Sequence, residues 1–478
     1  LSVNMFNNAT SIVGGNGTRY DENHVTMEYA HIDTASNPGY FTDPNAIPSD
    51  SAMLQSGELV NAAWKTLANN SATTYLETNN SITGIQRYTG DFTSEMQAAA
   101  INIAADDSTY PVYVWFENGS IYYYTEAGMV YFNADSSHMF YNLQGLRNID
   151  FNIGSVSSTS QNGEPIFVTS FVTDMRYMFS HASSLNYLDA SHWDTGNVTR
   201  MDYMFDHASA LGTLNVSSWD TSNVINMASM FENVSSLTTL DLSQWNTGAV
   251  TDMNSMFKNM TALNSLNVSG LNTSEVTDMH EMFYHLPRIE LNISQWNTGK
   301  VTNMSKMFGE ASVPSLNISG WNTGSVTDMS YMFYKANAIQ ALDASGWNTS
   351  NVTDMSHMFD SASAIQTLNV SGWNTSNVTN MNTMFYDMYA LNSLDLSSWN
   401  TSKVTDMGSM FAKIYNLNTI YVSDQFNTDL VPADQVIFAE VWGLKGGNNT
   451  QFDPGNVTKE YARIDAPDTP GYFTLKTN

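Results

Sequence analysis

Residues 347–359 read W-N-T-S-N-V-T-D-M-S-H-M-F, and close copies of this stretch run along the chain at a nearly fixed interval. The closing M-x-x-M-F occurs ten times, beginning at Met175, Met201, Met227, Met253, Met279, Met304, Met329, Met355, Met381 and Met407, in steps of 25 or 26 residues. A partial copy, Met139-Phe140, precedes them. A Trp keeps phase with the pattern at 193, 219, 245, 296, 321, 347, 373 and 399, and Leu271 fills the one missing slot. Between Phe and Trp lies L-x-x-L-x-[LV], as in Leu237-Leu240-Leu242 and Leu391-Leu394-Leu396. Strict self-similarity at this period marks a solenoid, in which each unit buries its apolar face only against its neighbours.

One unit is legible in physical terms. L-x-x-L-x-[LV] predicts a short strand whose inward residues stack on those of the next coil, about 4.8 Å away. W-N-T-S predicts a corner below a core Trp, because Asn, Thr and Ser side chains bond the main-chain groups that a turn leaves free. The many N-x-[ST] sequons arise from these same corners. After V-T-D the pattern predicts a helical turn, N-capped by Thr or Asp, with both Met of M-x-x-M on one face beside the Phe. The Asp slot reads Asp174, Arg200, Asn226, Asp252, Asp278, Asn303, Asp328, Asp354, Asn380 and Asp406. No run of Asp exceeds two, so repulsion between coils stays within what a carboxylate gains at a helix start. A calcium ladder on this column needs six or more oxygens per ion, and no D-x-[DN]-x-[DN]-G loop occurs.

Across 478 residues, 17 Lys+Arg face 46 Asp+Glu, a formal charge of −29 that repels nucleic acid and anionic membrane surfaces. Charged residues make up only 13%, against about 25% in an average soluble protein, and Asn, Ser and Thr carry the polar balance. With no Cys, disulfides, thiolate metal sites and a Cys nucleophile are excluded. No apolar run reaches about 18 residues, so no membrane insertion is expected within this segment.

The flanks differ in texture. Residues 58–69 and 94–105 read as helices, the second with Thr93 or Ser94 as N-cap, and residues 112–117 and 120–125 read as a hairpin around Asn118-Gly119. Residues 152–170 form an insertion in place of the first Trp corner. Residues 14–42 align without gaps to 446–474 at an offset of 432, with 17 of 29 positions identical. The start of the chain thus repeats its end. Residues 1–48 read as the C-terminal cap remnant of a preceding module, 49–136 as an N-terminal cap, 137–425 as the repeats and 426–478 as a C-terminal cap. A tandem array or filament follows from that reading.

The unit W-N-T-S-x-V-T-D-M-x-x-M-F, with Y-P-V-Y-V-W-F before it and E-Y-A-R-I-D…P-G-Y-F-T after it, resembles BspA-like leucine-rich-repeat surface proteins, whose unit is also known as the mycoplasma-type lipoprotein repeat. The resemblance covers residues 137–425 and implies an α/β fold. That fold is a leucine-rich-repeat-type solenoid of about ten 25–26-residue coils, with a mixed α+β N-terminal cap and a small β-rich C-terminal cap. It further implies an extracellular place at the cell wall or cell surface of a low-GC Gram-positive bacterium, and adhesion to a host or matrix protein or glycan. The alternative is a self-assembling structural subunit of an extracellular filament, sheath or surface layer, whose partners are other copies of itself.

Neither the repeat nor its resemblance supplies a catalytic residue. The nine His, at 24, 31, 138, 181, 192, 207, 280, 285 and 357, form no H-E-x-x-H, and no G-x-S-x-G or phosphate-cradling Gly loop occurs. The chain therefore reads as a non-enzyme without a cofactor. His181 and His207 fall in register on adjacent coils, but with no third ligand evident no metal site is assigned. Variation among the repeats concentrates around M-x-x-M-F, where Tyr177, Tyr203, Tyr284, Tyr331, Tyr334 and Tyr386 recur beside Arg176, Lys306 and Lys335. Tyr and Arg are enriched at interfaces, which makes these six Tyr the candidate partner contacts.

Overall fold

The computed structural model describes Ala30, Pro48 and residues 50–68, 74–154 and 165–476. The expected module remnant at 1–48 lies outside the described residues apart from Ala30 and Pro48, as do residues 155–164 of the insertion. Across the rest, successive repeats stack in parallel register. One bridge per repeat links Asp135 to Asp174, then Arg200, Asn226 and onward to Asp406. The Phe of each M-x-x-M-F lies on the Phe of the next, from Phe140–Phe179 at 4.7 Å to Phe411–Phe438 at 5.5 Å. Both Met of every pair are fully buried beside this file. Each Phe or Met gains about 1.5–3 kcal/mol by burial, and it gains this only because a neighbouring repeat supplies the other wall.

The M-x-x-M-F segment is not the helical turn that its spacing predicts. Met175, Tyr177, Phe179 and His181 donate their N–H groups to the carbonyls of Arg200, Asp202, Met204 and Asp206 in the next repeat, at 2.7–3.2 Å. The intervening N–H groups close β-turns, Met178 N to Met175 O and Ala182 N to Phe179 O. The third residue of each turn is left-handed, with φ of 55° at Tyr177 and 59° at His181. A helix would direct every N–H along its own axis; these turns give every second one to the adjacent repeat. The Asp ahead of the segment accordingly caps a turn, not a helix: Asp354 Oδ1 accepts from Ser356 N at 2.8 Å.

The corner follows the expected chemistry and adds a buried ladder. Asn246 Oδ1 accepts from Gly248 N at 3.2 Å, while the fully buried Thr247 reaches the next repeat. Its Oγ1 donates to Asn272 O at 2.9 Å and accepts from Asn272 N at 2.8 Å. Trp245 Nε1 donates to Val216 O at 2.9 Å, and the indoles of Trp219, Trp321, Trp347, Trp373 and Trp399 likewise stitch a repeat to the one before it, whereas buried Trp296 Nε1 has no acceptor among the described residues. Trp193 has no Trp corner before it, and its buried Nε1 has no acceptor among the described residues. The strand row is short: Thr239–Asp241 pairs with Ser265–Asn267, with Leu240 buried between exposed neighbours. It is interrupted between Asn267 and Ala341, where the two 25-residue steps remove one residue per repeat.

The N-terminal unit packs against the first of the described repeats. Helix α1, Gly57–Leu67, lies along the edge of the first repeat, whose carbonyls have no preceding repeat to satisfy them among the described residues. Gly57 N donates to Asp135 O at 2.9 Å, and Asn61 Nδ2 to Met139 O and Tyr141 O at 3.1 and 3.0 Å. Fully buried Lys65 donates Nζ to Tyr75 O, Glu77 O and Tyr141 O at 2.7, 2.5 and 3.0 Å. A Cβ on Gly57 would stand 2.1 Å from Ser137 O, so only glycine permits this approach. Helix α2, Ser94–Ala99, is N-capped by Thr93 as expected but stops six residues short of the expected end. Ala100 is extended, and Ile101–Asn102 pairs antiparallel with Tyr113–Glu117 at the edge of a five-stranded sheet. The hairpin Tyr113–Glu117/Ser120–Tyr124 turns on Asn118 and Gly119, both at positive φ, as the Asn-Gly signal requires.

At the far end the parallel pairing continues to Phe438–Ala439, and Phe473–Leu475 joins Thr419–Val422. Buried Asp465 ties this end together. It accepts from Asn448 N, Thr450 N, Thr450 Oγ1 and Gly471 N. Burial opposes its charge, but these donors outweigh it and hold its carboxyl below the usual carboxylate range.

Two outcomes check this account. Thr247→Val keeps the corner's shape but strands the N–H and C=O of Asn272, and is expected to cost about 2–4 kcal/mol in urea unfolding, whereas Thr247→Ser retains most of the stability. Lys65 is lowered by burial, against the attraction of Glu77, to about 7. Between there and its ordinary 10.5 only the unfolded chain keeps the proton, so wild-type stability should rise with pH across that window. Lys65→Met should abolish that rise and lower stability at pH 7 by about 1–3 kcal/mol, through the unpaired edge carbonyls.

Candidate partner-binding face

The left-handed turn residues form two parallel columns. Eleven pairs, each four residues apart, run from His138/Asn142 to Ser409/Lys413 with φ between 51° and 60°. Most columns of the repeat have fixed chemistry, because their side chains are either packed in the core or bonded to a turn or a neighbouring repeat. In these two the backbone is fixed by bonds to the next repeat while most side chains reach the surface, with Ser229, Ser255 and Asn142 buried, so residue type varies. Asn suits such a conformation, yet Tyr, Lys, Glu, Thr and His occupy many of these positions.

The six candidate Tyr all lie on this face and are half-buried. Tyr177, Tyr203 and Tyr331 occupy the first left-handed column, and Tyr284, Tyr334 and Tyr386 directly follow the core Phe. They are not one continuous stripe. Tyr177 and Tyr203 stack at 4.7 Å and 5°, with His138 on the other side of Tyr177 at 4.9 Å. Further along, Tyr331 stacks on His357 at 4.2 Å and meets Tyr334 edge-on at 5.6 Å. Ser229, Ser255, Glu281 and Lys306 separate the two groups in the same column. His138, Tyr141 and His357 belong to these clusters although the sequence reading did not single them out as contacts; their register with Tyr in the repeat was the available signal.

The nearby lysines are largely neutralised on the face itself. Lys258 bridges Glu232 and Glu281 at 3.2 and 2.6 Å, and Lys335 reaches Glu310 at 3.3 Å while lying 4.7 Å from the centre of the Tyr334 ring. Tyr284 packs over Gly309, where a Cβ would come within 2.9 Å of its ring. Its hydroxyl is pushed up to about 12, first by burial and then by the charge of Glu310 and a hydrogen bond to it. Tyr177 and Tyr331 are raised for the same leading reason, burial. The face therefore presents ring planes and neutral phenol groups among carboxylates, a combination suited to stacking and hydrogen-bond recognition.

Two other features stand apart. On the N-terminal sheet, Phe92 stacks on Tyr124 at 4.4 Å and on Trp115 at 5.6 Å, a layer legible in sequence only as strand-forming Tyr. In the second left-handed column, His181 and His207 stack at 4.5 Å, and Asp206 lies beneath both. Burial, then neighbouring His207, lowers His181 against the pull of Asp206, while burial raises Asp206 against the attraction of His207.

No curated protein matches, and among the described residues no helix is long and apolar enough to cross a membrane. One matching solved structure is titled "Crystal structure of TLR13-ssRNA13 complex"; it is 15% identical over 66% of this chain and 50% of that one. This chain thus spans half the length of that structure, and a TM-score of 0.24 is too low to carry any weight for the fold. The family described as "Mycoplasma protein of unknown function, DUF285" matches residues 134–266, 255–364 and 339–446. Those three tandem matches run through well over half of the 478 residues, and the chain belongs to the DUF285 repeat family.

Proposed function

We propose that this chain is a non-enzymatic extracellular protein of the cell surface or cell wall, related to BspA-like leucine-rich-repeat proteins, that adheres to a host or matrix protein or glycan. In this reading the stacked repeats are a leucine-rich-repeat-type solenoid of about ten coils, closed by a mixed α+β cap before it and a small β-rich cap after it. The observation that carries the proposal is the strained double column. Left-handed non-glycine residues cost of the order of 1–3 kcal/mol each, and such strain clusters at functional sites. Tyr, His and Lys occupy positions whose backbone suits Asn, their stacking offsets the strain, and what they supply is separate patches of aromatic and polar groups. The six Tyr are the proposed contacts, with Tyr177/Tyr203 and Tyr331/Tyr334 as separate patches.

A second reading is self-assembly into a filament, sheath or surface layer, and one observation favours it. Asn448, Thr450, Asp453, Asp465, Gly471, Tyr472 and Phe473 close the C-terminal end, and each has an identical residue 432 positions earlier, at Asn16, Thr18, Asp21, Asp33, Gly39, Tyr40 and Phe41. Recurrence of this end sequence is what a series of modules requires.

Binding of the 478-residue chain to arrayed matrix proteins and glycans, with negative-stain microscopy of the same sample, separates the readings. Adhesion requires single short rods, and a ligand whose affinity falls at least about tenfold in Tyr177→Asn/Tyr203→Asn or in Tyr331→Asn/Tyr334→Ser. Asn suits the left-handed backbone, so the changes at 177, 203 and 331 should leave the unfolding midpoint intact. Unchanged binding by both variants, or regular fibres without any ligand, would overturn the adhesion reading.

A further inference from the structure

We propose that His181, His207 and Asp206 form a binding site for a zinc-class divalent metal ion, shared between two adjacent repeats. The residues come together for reasons already visible in the backbone. His181 and His207 hold the same left-handed turn position in consecutive repeats, at φ 59° and 56°, so their rings project side by side and stack at 4.5 Å and 17°. His181 N donates to Asp206 O at 2.7 Å, which locks the register of the two repeats at this point. Both imidazoles then direct a nitrogen at one carboxylate: His207 Nδ1 lies 2.6 Å from Asp206 Oδ1, and His181 Nε2 lies 3.9 Å from Oδ2.

The chemistry of the donor set is specific. One ligand atom from each residue falls within 4.8 Å of the other two, and among the described residues this is the one such group of three or more His, Asp or Glu. Two imidazole nitrogens and a carboxylate oxygen form a three-ligand set that zinc uses with a fourth position left open. Zinc held at about 2.0–2.1 Å from each ligand needs ligand atoms about 3.3 Å apart, between the two separations seen here, so modest side-chain rotations suffice. The fourth position faces outward, because the His side chains are 36% and 47% exposed while Asp206 is only 10% exposed.

Carboxylates on this face find different partners: Glu281 is held by Lys258 and Lys306 and Glu310 by Lys335, while buried Asp360, at the same repeat position as Asp206, meets one imidazole, His357, and the hydroxyl of Ser361. Asp206 meets imidazoles and the hydroxyl of Ser180, 3.4 Å from Oδ2. Tyr141 packs edge-on against the His181 ring at 6.0 Å and limits its swing. Calcium and magnesium prefer all-oxygen sets and are a poor match for paired imidazoles. A metal here would join one repeat to the next through side chains, as the Lys306–Glu281 and Lys335–Glu310 pairs do elsewhere in these columns.

Zinc titration of the untagged 478-residue chain by calorimetry, with the urea midpoint measured in zinc and in chelator, tests the site. One equivalent of zinc is expected to bind and to raise the midpoint, while calcium does neither at the same concentration. His181→Asn and His207→Asn are the informative variants, because Asn already occupies this left-handed position at Asn142, Asn233 and Asn259 and the fold should survive. Each should weaken zinc binding at least about tenfold, with the midpoint in chelator unchanged. Asp206→Asn removes the charge at nearly constant shape and should weaken it likewise. Absence of saturable zinc binding, or equal affinity in all three variants, would overturn the proposal.

Discussion

Everything in this architecture depends on the backbone hydrogen bonds that alternate residues of each M-x-x-M-F segment make to the next repeat. They fix the register of the Phe file, place the Thr and Trp of the corner within reach of their acceptors, and hold the left-handed residues against their own steric preference. A single repeat has none of these bonds to itself and could not bury its Met and Phe alone. Stability is consequently a property of neighbours, and the interface between any two repeats contains nearly all of it.

That dependence explains the ends. An unfinished stack exposes a row of main-chain carbonyls on one side and a row of N–H groups on the other, and both are costly to leave dry. The N-terminal unit answers with donors on a helix, Gly57 N, Asn61 Nδ2 and Lys65 Nζ, which take the places that a preceding repeat would fill. The C-terminal side answers with acceptors. Ser409, Phe411 and Lys413 donate to Val436, Ile437 and Ala439, and Gln435 Oε1 accepts from Met407 N in place of a backbone carbonyl. Buried Lys65 and Asn61 are thus the edge chemistry of a stack, and their burial carries no implication of catalysis.

The same constraint divides the surface into two kinds. Corner and strand positions are occupied by Asn, Asp, Ser and Thr whose side chains are already bonded to a turn or to the next repeat, and this leaves them little to offer a partner. The two left-handed columns have their backbone satisfied, and their side chains pair or stack with one another on the face, so variation there costs some local strain but no backbone hydrogen bonds. Aromatic clusters, lysine–glutamate pairs and the His181–Asp206–His207 group all sit in or beside those columns.

The repeat, its period, the core Phe and Trp files, the Asn-Gly hairpin and the chemistry of the corner were legible in the sequence, because each rests on local patterning that recurs many times. The six Tyr were legible too, as variable residues in a monotonous unit. What the sequence by itself could not decide was the path of the chain through M-x-x-M-F. Spacing of i and i+3 is shared by a helical turn and by tandem β-turns, and only the presence of an adjacent repeat, accepting every second N–H, selects the turns. From that choice follow the left-handed conformations, the separation of the Tyr into two patches and the arrival of Asp206 beneath two stacked imidazoles. The short second helix has the same cause: Ile101–Asn102 leaves the helix because strand Tyr113–Glu117 offers it a partner. Local composition determined what each repeat is made of, and contact between repeats decided where its side chains point.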